Sequence, residues 1–217
     1  MGDIGKVIRL IREEMKKHRN ILDEKWKKID KNPFTVLISC LLSLRTKDEV
    51  TAEASVRLLT KYKSPEDLAN APLEEIEKLI FPVGFYRVKA RRIKEISKCI
   101  VEKFDGKVPD KFEELLKING IGRKTASVVM AYGFNKEGYI AVDTHCHRIP
   151  NRLGWIRTKT PEETERELKK IVPKEYWKEL NHLFVRFGQT ICLPILPKCS
   201  VCPVEKYCKK VGVKKHR

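Results

Sequence analysis

Apolar residues recur at intervals of three and four along almost the whole chain. Ile4, Val7, Ile8, Ile11 and Met15 form one stripe, Ile93, Ile96, Ile100 and Phe104 a second, and Trp177, Leu180, Phe184 and Phe187 a third. That spacing places each set on one face of a helix. Start signals agree with the stripes. Asn32-Pro33, Ser64-Pro65 and Thr160-Pro161 each set a capping side chain before a proline suited to the first helical turn, and Thr160 with Glu163 spells a capping box. Only Tyr139 to Val142 reads as extended, and it is too short to found a sheet. The expected class is all-α, about ten helices joined by short loops.

The polar, glycine-bearing stretch Asn135-Lys136-Glu137-Gly138 is the best candidate boundary, and a weaker one falls near Asn20. They predict one domain over 21–135 and a second built from 1–20 plus 136–217. No repeat or low-complexity segment is present apart from the basic run Lys209 to Arg217, which reads as a solvated, frayed end.

Composition adds a partner. At 217 residues and 41% hydrophobic content the chain can build one large or two small cores. Lys and Arg outnumber Asp and Glu by 46 to 29, a net charge of +17, which predicts a polyanion as partner. A thermophilic charged surface is the bland alternative. It fits the abundant Lys and Glu and the single glutamine, Gln189, but it explains the amount of charge and not its sign. No stretch approaches a membrane span and the N-terminus lacks a secretory apolar core, so no membrane is expected, and the expected location is cytoplasmic, beside the nucleoid or in a nucleus. Thiols stay reduced there, and clustered cysteines are better read as metal ligands than as disulfides. Cys40, Cys99 and Cys146 stand apart in mostly apolar surroundings and read as ordinary buried residues.

Two pieces carry chemistry. The first is Ile118-Asn119-Gly120-Ile121-Gly122-Arg123-Lys124, between one helix expected over Glu113 to Ile118 and another over Lys124 to Phe134. Gly120 and Gly122 permit positive φ and close backbone approach, and a turn of this kind aims amide N–H groups and Arg123 at a phosphate. A plain αα-turn is the structural alternative. Lys124 follows in the first helical turn, where the positive helix end and Arg123 disfavour its ammonium and favour a nucleophilic amine able to form a Schiff base. It could equally be a solvated lysine neutralising phosphate. Asp143, nineteen residues on, could supply a carboxylate, or only cap a helix that begins near His145.

The second piece is Cys192, Cys199, Cys202 and Cys208, with six, two and five residues between them. Four-cysteine zinc sites commonly pair two knuckles, and only Cys199 to Cys202 has that spacing. Iron–sulfur clusters tolerate the irregular pattern, and unliganded buried thiols remain the bland option. A ligated loop would present Lys198 to phosphate.

Taken together, these residues resemble the endonuclease III family of the helix-hairpin-helix DNA glycosylases. The resemblance runs from Pro33 through Lys209. It includes Leu41-Leu42-Ser43, Thr46-Lys47-Asp48, Val83-Gly84-Phe85-Tyr86, Lys89-Ala90, Gly120 to Ala126, Val142 to His145, His147-Arg148, Asn151 to Gly154 and the cysteine spacing. It implies a two-lobed all-α fold: a helical-barrel domain holding the hairpin, and an iron–sulfur domain holding the C-terminal cluster loop, with DNA across the cleft. It implies Lys124 as nucleophile, Asp143 as catalytic carboxylate and a [4Fe–4S] cluster on the four cysteines. The implied partner is double-stranded DNA with damaged bases or abasic sites, met by a monomer. The implied activity is that of a bifunctional glycosylase and AP lyase acting on oxidised pyrimidines.

Departures from the family pattern touch recognition. Asn119 stands where the hairpin usually has proline, Arg45 where many relatives carry a gap-filling glutamine, and Phe85 where a leucine wedge is usual. Phe85 can still intercalate, and Arg45 can reach an orphan base or a phosphate. The rival readings are a monofunctional mismatch or adenine glycosylase, and a non-catalytic DNA-binding or electron-transfer protein. The lysine at the hairpin and the lack of any carboxylate from Phe34 to Leu44 speak against the first, and Lys124 with Asp143 against the second.

Overall fold

The computed structural model describes residues 3–18 and 29–217, and among these residues it is helical with no strand. The chain divides into two compact units, Met1–Arg19 with Glu137–Arg217, and Asn20–Lys136. The weaker boundary expected near Asn20 lies outside the described residues. None of the described helices is long and apolar enough to cross a membrane.

Helix α1 (Ile4–Lys16) starts at Asp3, whose carboxylate accepts the Lys6 N–H at 3.0 Å. Its stripe of Val7, Ile8, Ile11 and Met15 is buried as its spacing predicts.

The unit ending at Lys136 is built on α2 (Pro33–Ser43). Asn32 and Thr35 cap it reciprocally, each side chain accepting the other's N–H at 3.0 Å, with Pro33 in the first turn. Every residue from Phe34 to Leu42 is buried, so α2 is covered on all sides, as an apolar-all-round helix must be. Around it run α3 (Asp48–Lys61), α4 (Pro65–Asn70), α5 (Leu73–Ile80), α6 (Tyr86–Phe104), α7 (Phe112–Lys117) and α8 (Arg123–Val128). Ser64 and Asp67 form a full capping box on α4. The helix expected to run unbroken to Phe134 instead widens into a π turn over Val129–Gly133, closed by the Phe134 N–H to the Val129 carbonyl at 3.0 Å. Gly133 then lies so near Pro33 that a Cβ there would stand 2.8 Å from the proline Cα.

The other unit packs α1 with α9 (Thr144–Leu153), α10 (Pro161–Ile171) and α11 (Trp177–Thr190). Val7, Ile11, Cys146, Ile149, Leu168, Phe184 and Phe187 meet in its core, each large apolar side chain contributing roughly 1.5–3 kcal/mol on burial. Polar ties fix α1 on α11: Arg12 Nε donates to Glu179 Oε2 at 3.0 Å, and Arg186 Nη2 to the His18 carbonyl at 2.8 Å. The capping box expected at α10 is half formed. Thr160 accepts the Glu163 N–H at 3.2 Å, but the Glu163 carboxylate reaches one residue further back, to the Lys159 N–H at 2.7 Å.

Beyond α11 come two single 3₁₀ turns, Cys199–Val201 and Glu205–Tyr207. The basic run Lys209 to Arg217 is not a frayed end. The Val211 N–H bonds the Arg152 carbonyl at 3.0 Å, and Arg217 both donates to Pro197 and accepts from Ser200 at 2.9 Å. Backbone pairing of this kind is indifferent to side-chain charge.

Candidate functional site

The hairpin joins α7 to α8. Buried Ile118 and Ile121 anchor it, with the Ile121 N–H on the Ile118 carbonyl at 3.0 Å. Gly120 takes φ +94° against the side chain of Arg92, so its role as a glycine is conformational. Gly122 departs from expectation: its backbone is extended, φ −94° and ψ 174°, a conformation open to any residue. No atom lies within 4 Å of where its Cβ would be, so the missing side chain leaves an open approach. Arg123 is exposed, its guanidinium 5.1 Å from the centre of the Phe112 ring.

Lys124 sits half-buried in the first turn of α8, with Nζ 3.5 Å from Cys40 Sγ on α2. Cys40 Sγ lies 3.8 Å from Thr125 Oγ1. Cys40 is buried as expected, but it is also a neighbour of the amine, which no spacing rule reveals across 84 residues. Cys99 is only half-buried. Cys146 is buried fully, and burial together with the Asp143 charge pushes its thiol well above the ordinary range.

Asp143 belongs to the other unit. It caps α9, Oδ1 accepting the N–H groups of His145 at 2.9 Å and Cys146 at 2.8 Å, and the helix begins at Thr144. The cap uses one carboxylate oxygen. Arg148 on the same helix donates from Nη2 to the Cys192 carbonyl at 2.9 Å, tying α9 to the start of the cysteine loop.

Arg45 and Phe85, far apart in sequence, come together. Both are exposed and both hold left-handed backbone, φ 54° and 58°, and the Arg45 guanidinium lies 5.6 Å from the centre of the Phe85 ring. Gly84 makes this possible, since a Cβ there would stand 2.7 Å from the Arg45 carbonyl oxygen. Between the two turns sits Lys89 of α6, to which sequence reasoning gave no role. Its ammonium donates to the carbonyls of Leu42, at 2.7 Å, and Leu44, and to Thr46 Oγ1 at 3.0 Å. Burial pulls its pKa down to about 8.

Cys192, Cys199, Cys202 and Cys208 line one small cavity with Ile149, Arg152, Leu153 and Val204. Arg152, also missed from sequence, is buried beneath it. Nη1 donates to Cys192 Sγ at 3.3 Å and to the Leu193 carbonyl at 2.8 Å, and Nη2 to the Pro194 carbonyl at 3.2 Å. The Lys210 N–H donates to Cys208 Sγ at 3.3 Å. Burial lifts the Cys202 thiol to about 11 and raises Cys199 and Cys208 as well. Such thiols become thiolates only when a cation binds them. Among the described residues no three His, Cys, Asp or Glu side chains gather closely enough for a single metal ion. Lys198 is half-buried beside Cys199, its N–H on the Ile191 carbonyl at 2.9 Å, and Ile195 at the loop tip is 80% exposed.

Residues 38–174 match the HhH-GPD superfamily of base excision DNA repair proteins. The chain is 52% identical over 178 residues to endonuclease III of Thermotoga maritima, covering 82% of this chain and 83% of the relative. It is 43% identical over 171 residues to endonuclease III-like protein 1 of Bos taurus, covering 78% of this chain and 56% of that relative. Among solved structures it is similar to a trapped endonuclease III–DNA covalent intermediate, an estranged-adenine complex, at 36% identity and TM-score 0.82, covering 95% of this chain and 94% of that one.

Proposed function

The chain belongs to the endonuclease III family of the HhH-GPD superfamily of base excision DNA repair proteins, and from that premise we propose that it is a bifunctional DNA glycosylase and AP lyase acting on oxidised pyrimidines in duplex DNA. The observation that carries the reading is Lys124: a half-buried amine in the first helical turn beyond an open glycine hairpin, in a chain of net charge +17.

The hairpin receives a phosphate at Gly120 and Gly122, with Arg123 adding charge. The damaged base is turned out of the stack, at least cost for a base that pairs poorly. Arg45 and Phe85 enter the duplex at the place it leaves. The Lys124 amine attacks C1′ of the deoxyribose, the C1′–base bond breaks, and the base departs with a proton. The opened sugar is then an imine on Nζ. Loss of a C2′ proton expels the 3′ phosphate and cuts the strand, and water returns the free amine. Asp143 steadies positive charge on the sugar or moves the proton, with the carboxylate oxygen its cap does not use.

Cys192, Cys199, Cys202 and Cys208 would hold a [4Fe–4S] cluster. The donor set fits: four thiols line one small cavity, and thiolates are the ligands that such a cluster takes. Bound there, the cluster supplies a rigid staple for the loop between α11 and the C-terminal run, fixing Lys198 for a phosphate. The proposed setting is the cellular compartment that holds the DNA.

Borohydride trapping tests the proposal. Wild-type protein is expected to form a covalent adduct with abasic-site DNA, and Lys124→Gln to lose it while keeping duplex binding. An undiminished adduct in the variant would overturn the assignment.

A further inference from the structure

The turn that carries Arg45 follows the last carbonyls of α2, which helix geometry leaves without intrahelical donors. Lys89 answers them. Its three N–H bonds meet three acceptors, the Leu42 and Leu44 carbonyls and Thr46 Oγ1, so the ammonium is fully used. Thr46 Oγ1 also accepts the Gly84 N–H at 3.2 Å, one residue before Phe85. A single chain of hydrogen bonds therefore runs from α6 through the Arg45 turn to the left-handed start of α6 itself. Arg45 and Phe85 both hold conformations that cost energy outside glycine, and such strain persists only where the surroundings enforce it. The ammonium is charged, half-buried and desolvated enough to lower its pKa to about 8. Its donors tie three separate points of the Arg45 turn to α6, which an apolar side chain in the same space could not do.

We propose that Lys89 is a positioning residue for duplex opening, clamping the Arg45 turn to the start of α6 so that Arg45 and Phe85 enter DNA as one wedge. This rests on the reading of Arg45 and Phe85 as DNA-contacting residues given above. Lys89 itself touches neither the sugar nor the base. Its loss leaves the amine of Lys124 in place but lets the two wedge residues move independently.

The experiment uses the full chain and three readouts. The first is single-turnover excision of thymine glycol from a duplex. The second is the fluorescence of 2-aminopurine placed opposite the lesion, which rises on unstacking. The third is borohydride trapping on single-stranded abasic DNA, where no duplex must open. Lys89→Met keeps the stem and removes the donors, and Thr46→Val removes the shared hydroxyl. Both are expected to slow duplex excision about tenfold or more, as misplacement of positioning groups does, and to blunt the fluorescence rise. Single-strand trapping is expected to stay within about twofold of wild type. Arg45→Ala and Phe85→Ala run alongside and should likewise slow duplex excision and blunt the fluorescence rise. If those two leave duplex excision unchanged, the wedge reading fails. If they slow it while Lys89→Met and Thr46→Val do not, the clamp is wrong and the wedge stands. Equal loss on single-stranded and duplex DNA in Lys89→Met, with a lowered melting temperature, would make Lys89 merely structural and overturn the proposal.

Discussion

Lys124 Nζ rests 3.5 Å from Cys40 Sγ, so the amine proposed as nucleophile leans on the buried flank of α2. A side chain held this way is sensitive to the volume beside it. Cys40→Leu adds bulk where the amine lies, at a packing cost of about 1–3 kcal/mol. A displacement of one ångström in a reacting group can slow chemistry about 100-fold, so borohydride trapping by Cys40→Leu is expected to fall by about 10- to 100-fold. Cys40→Ala removes the sulfur but leaves room, and trapping should stay within a few-fold of wild type. Equal trapping rates in the two variants would mean that Cys40 does not position the amine.

Asp143 has two tasks that substitution separates. An asparagine side-chain oxygen can accept the His145 and Cys146 N–H groups as Asp143 Oδ1 does, so Asp143→Asn should keep the α9 cap and lose only the charge at the helix start, worth about 0.3–1 kcal/mol. Asp143→Ala loses the cap as well, at about 0.5–2 kcal/mol. If the carboxylate serves the chemistry, release of base from a lesion duplex falls about 100-fold or more in both variants, while thermal melting separates them. Melting and base release that decline in parallel across the two would leave Asp143 as a cap alone.

What sequence could and could not foretell divides along the reach of each interaction. Asn32-Pro33 and Ser64-Pro65 act within four residues, and both form the starts they spell. Thr160 also caps, but Glu163 takes the Lys159 N–H one residue further back, a choice between two adjacent amides that composition does not settle. The cysteine spacing and the Gly120 turn are local and were readable. Gly122 was misjudged because an extended glycine and a left-handed one look alike in sequence. Resemblance singled out Arg45 and Phe85 one by one, but not their closeness, which depends on the missing Cβ of Gly84 beneath the Arg45 carbonyl. Lys89, Arg152 and the C-terminal run were misread or passed over for one reason. Their partners are mostly backbone carbonyls or thiols far along the chain, 47 residues away for Lys89 and Leu42 and 59 for Val211 and Arg152, and a one-letter code does not say where a carbonyl points.

The cysteine cavity predicts a graded response to damage. Cys202→Ala removes one of four donors, and purified protein should lose iron and visible absorbance together, with a lower melting temperature. Arg152→Met keeps all four thiols but strips donors from Cys192 Sγ and from the Leu193 and Pro194 carbonyls. Each buried acceptor left unpaired costs about 1–3 kcal/mol, so this variant should assemble with iron yet release it faster in air. Stoichiometric zinc without iron in wild-type protein would replace the cluster assignment with a different one.

Lys89 gives a pH dependence of known sign. Its folded pKa of about 8 lies below the ordinary lysine value of 10.5, with burial as the cause. Between these values the unfolded chain binds more protons than the folded one, so this group's penalty on folding, complete below about 8, is relieved as pH rises toward 10.5. The clamp moves the other way. A neutral amine has two N–H bonds for three uncharged acceptors, so one of Leu42, Leu44 and Thr46 is released as pH passes the folded value. Duplex excision divided by single-strand trapping cancels the titration of Lys124, which both assays share. That ratio is expected to fall across about pH 7 to 9 in wild type and to lie flat in Lys89→Met, without a matching drop in thermal stability from this group. A ratio that stays level in wild type, or falls equally in both proteins, would show that the proton on Lys89 does not hold the Arg45 turn.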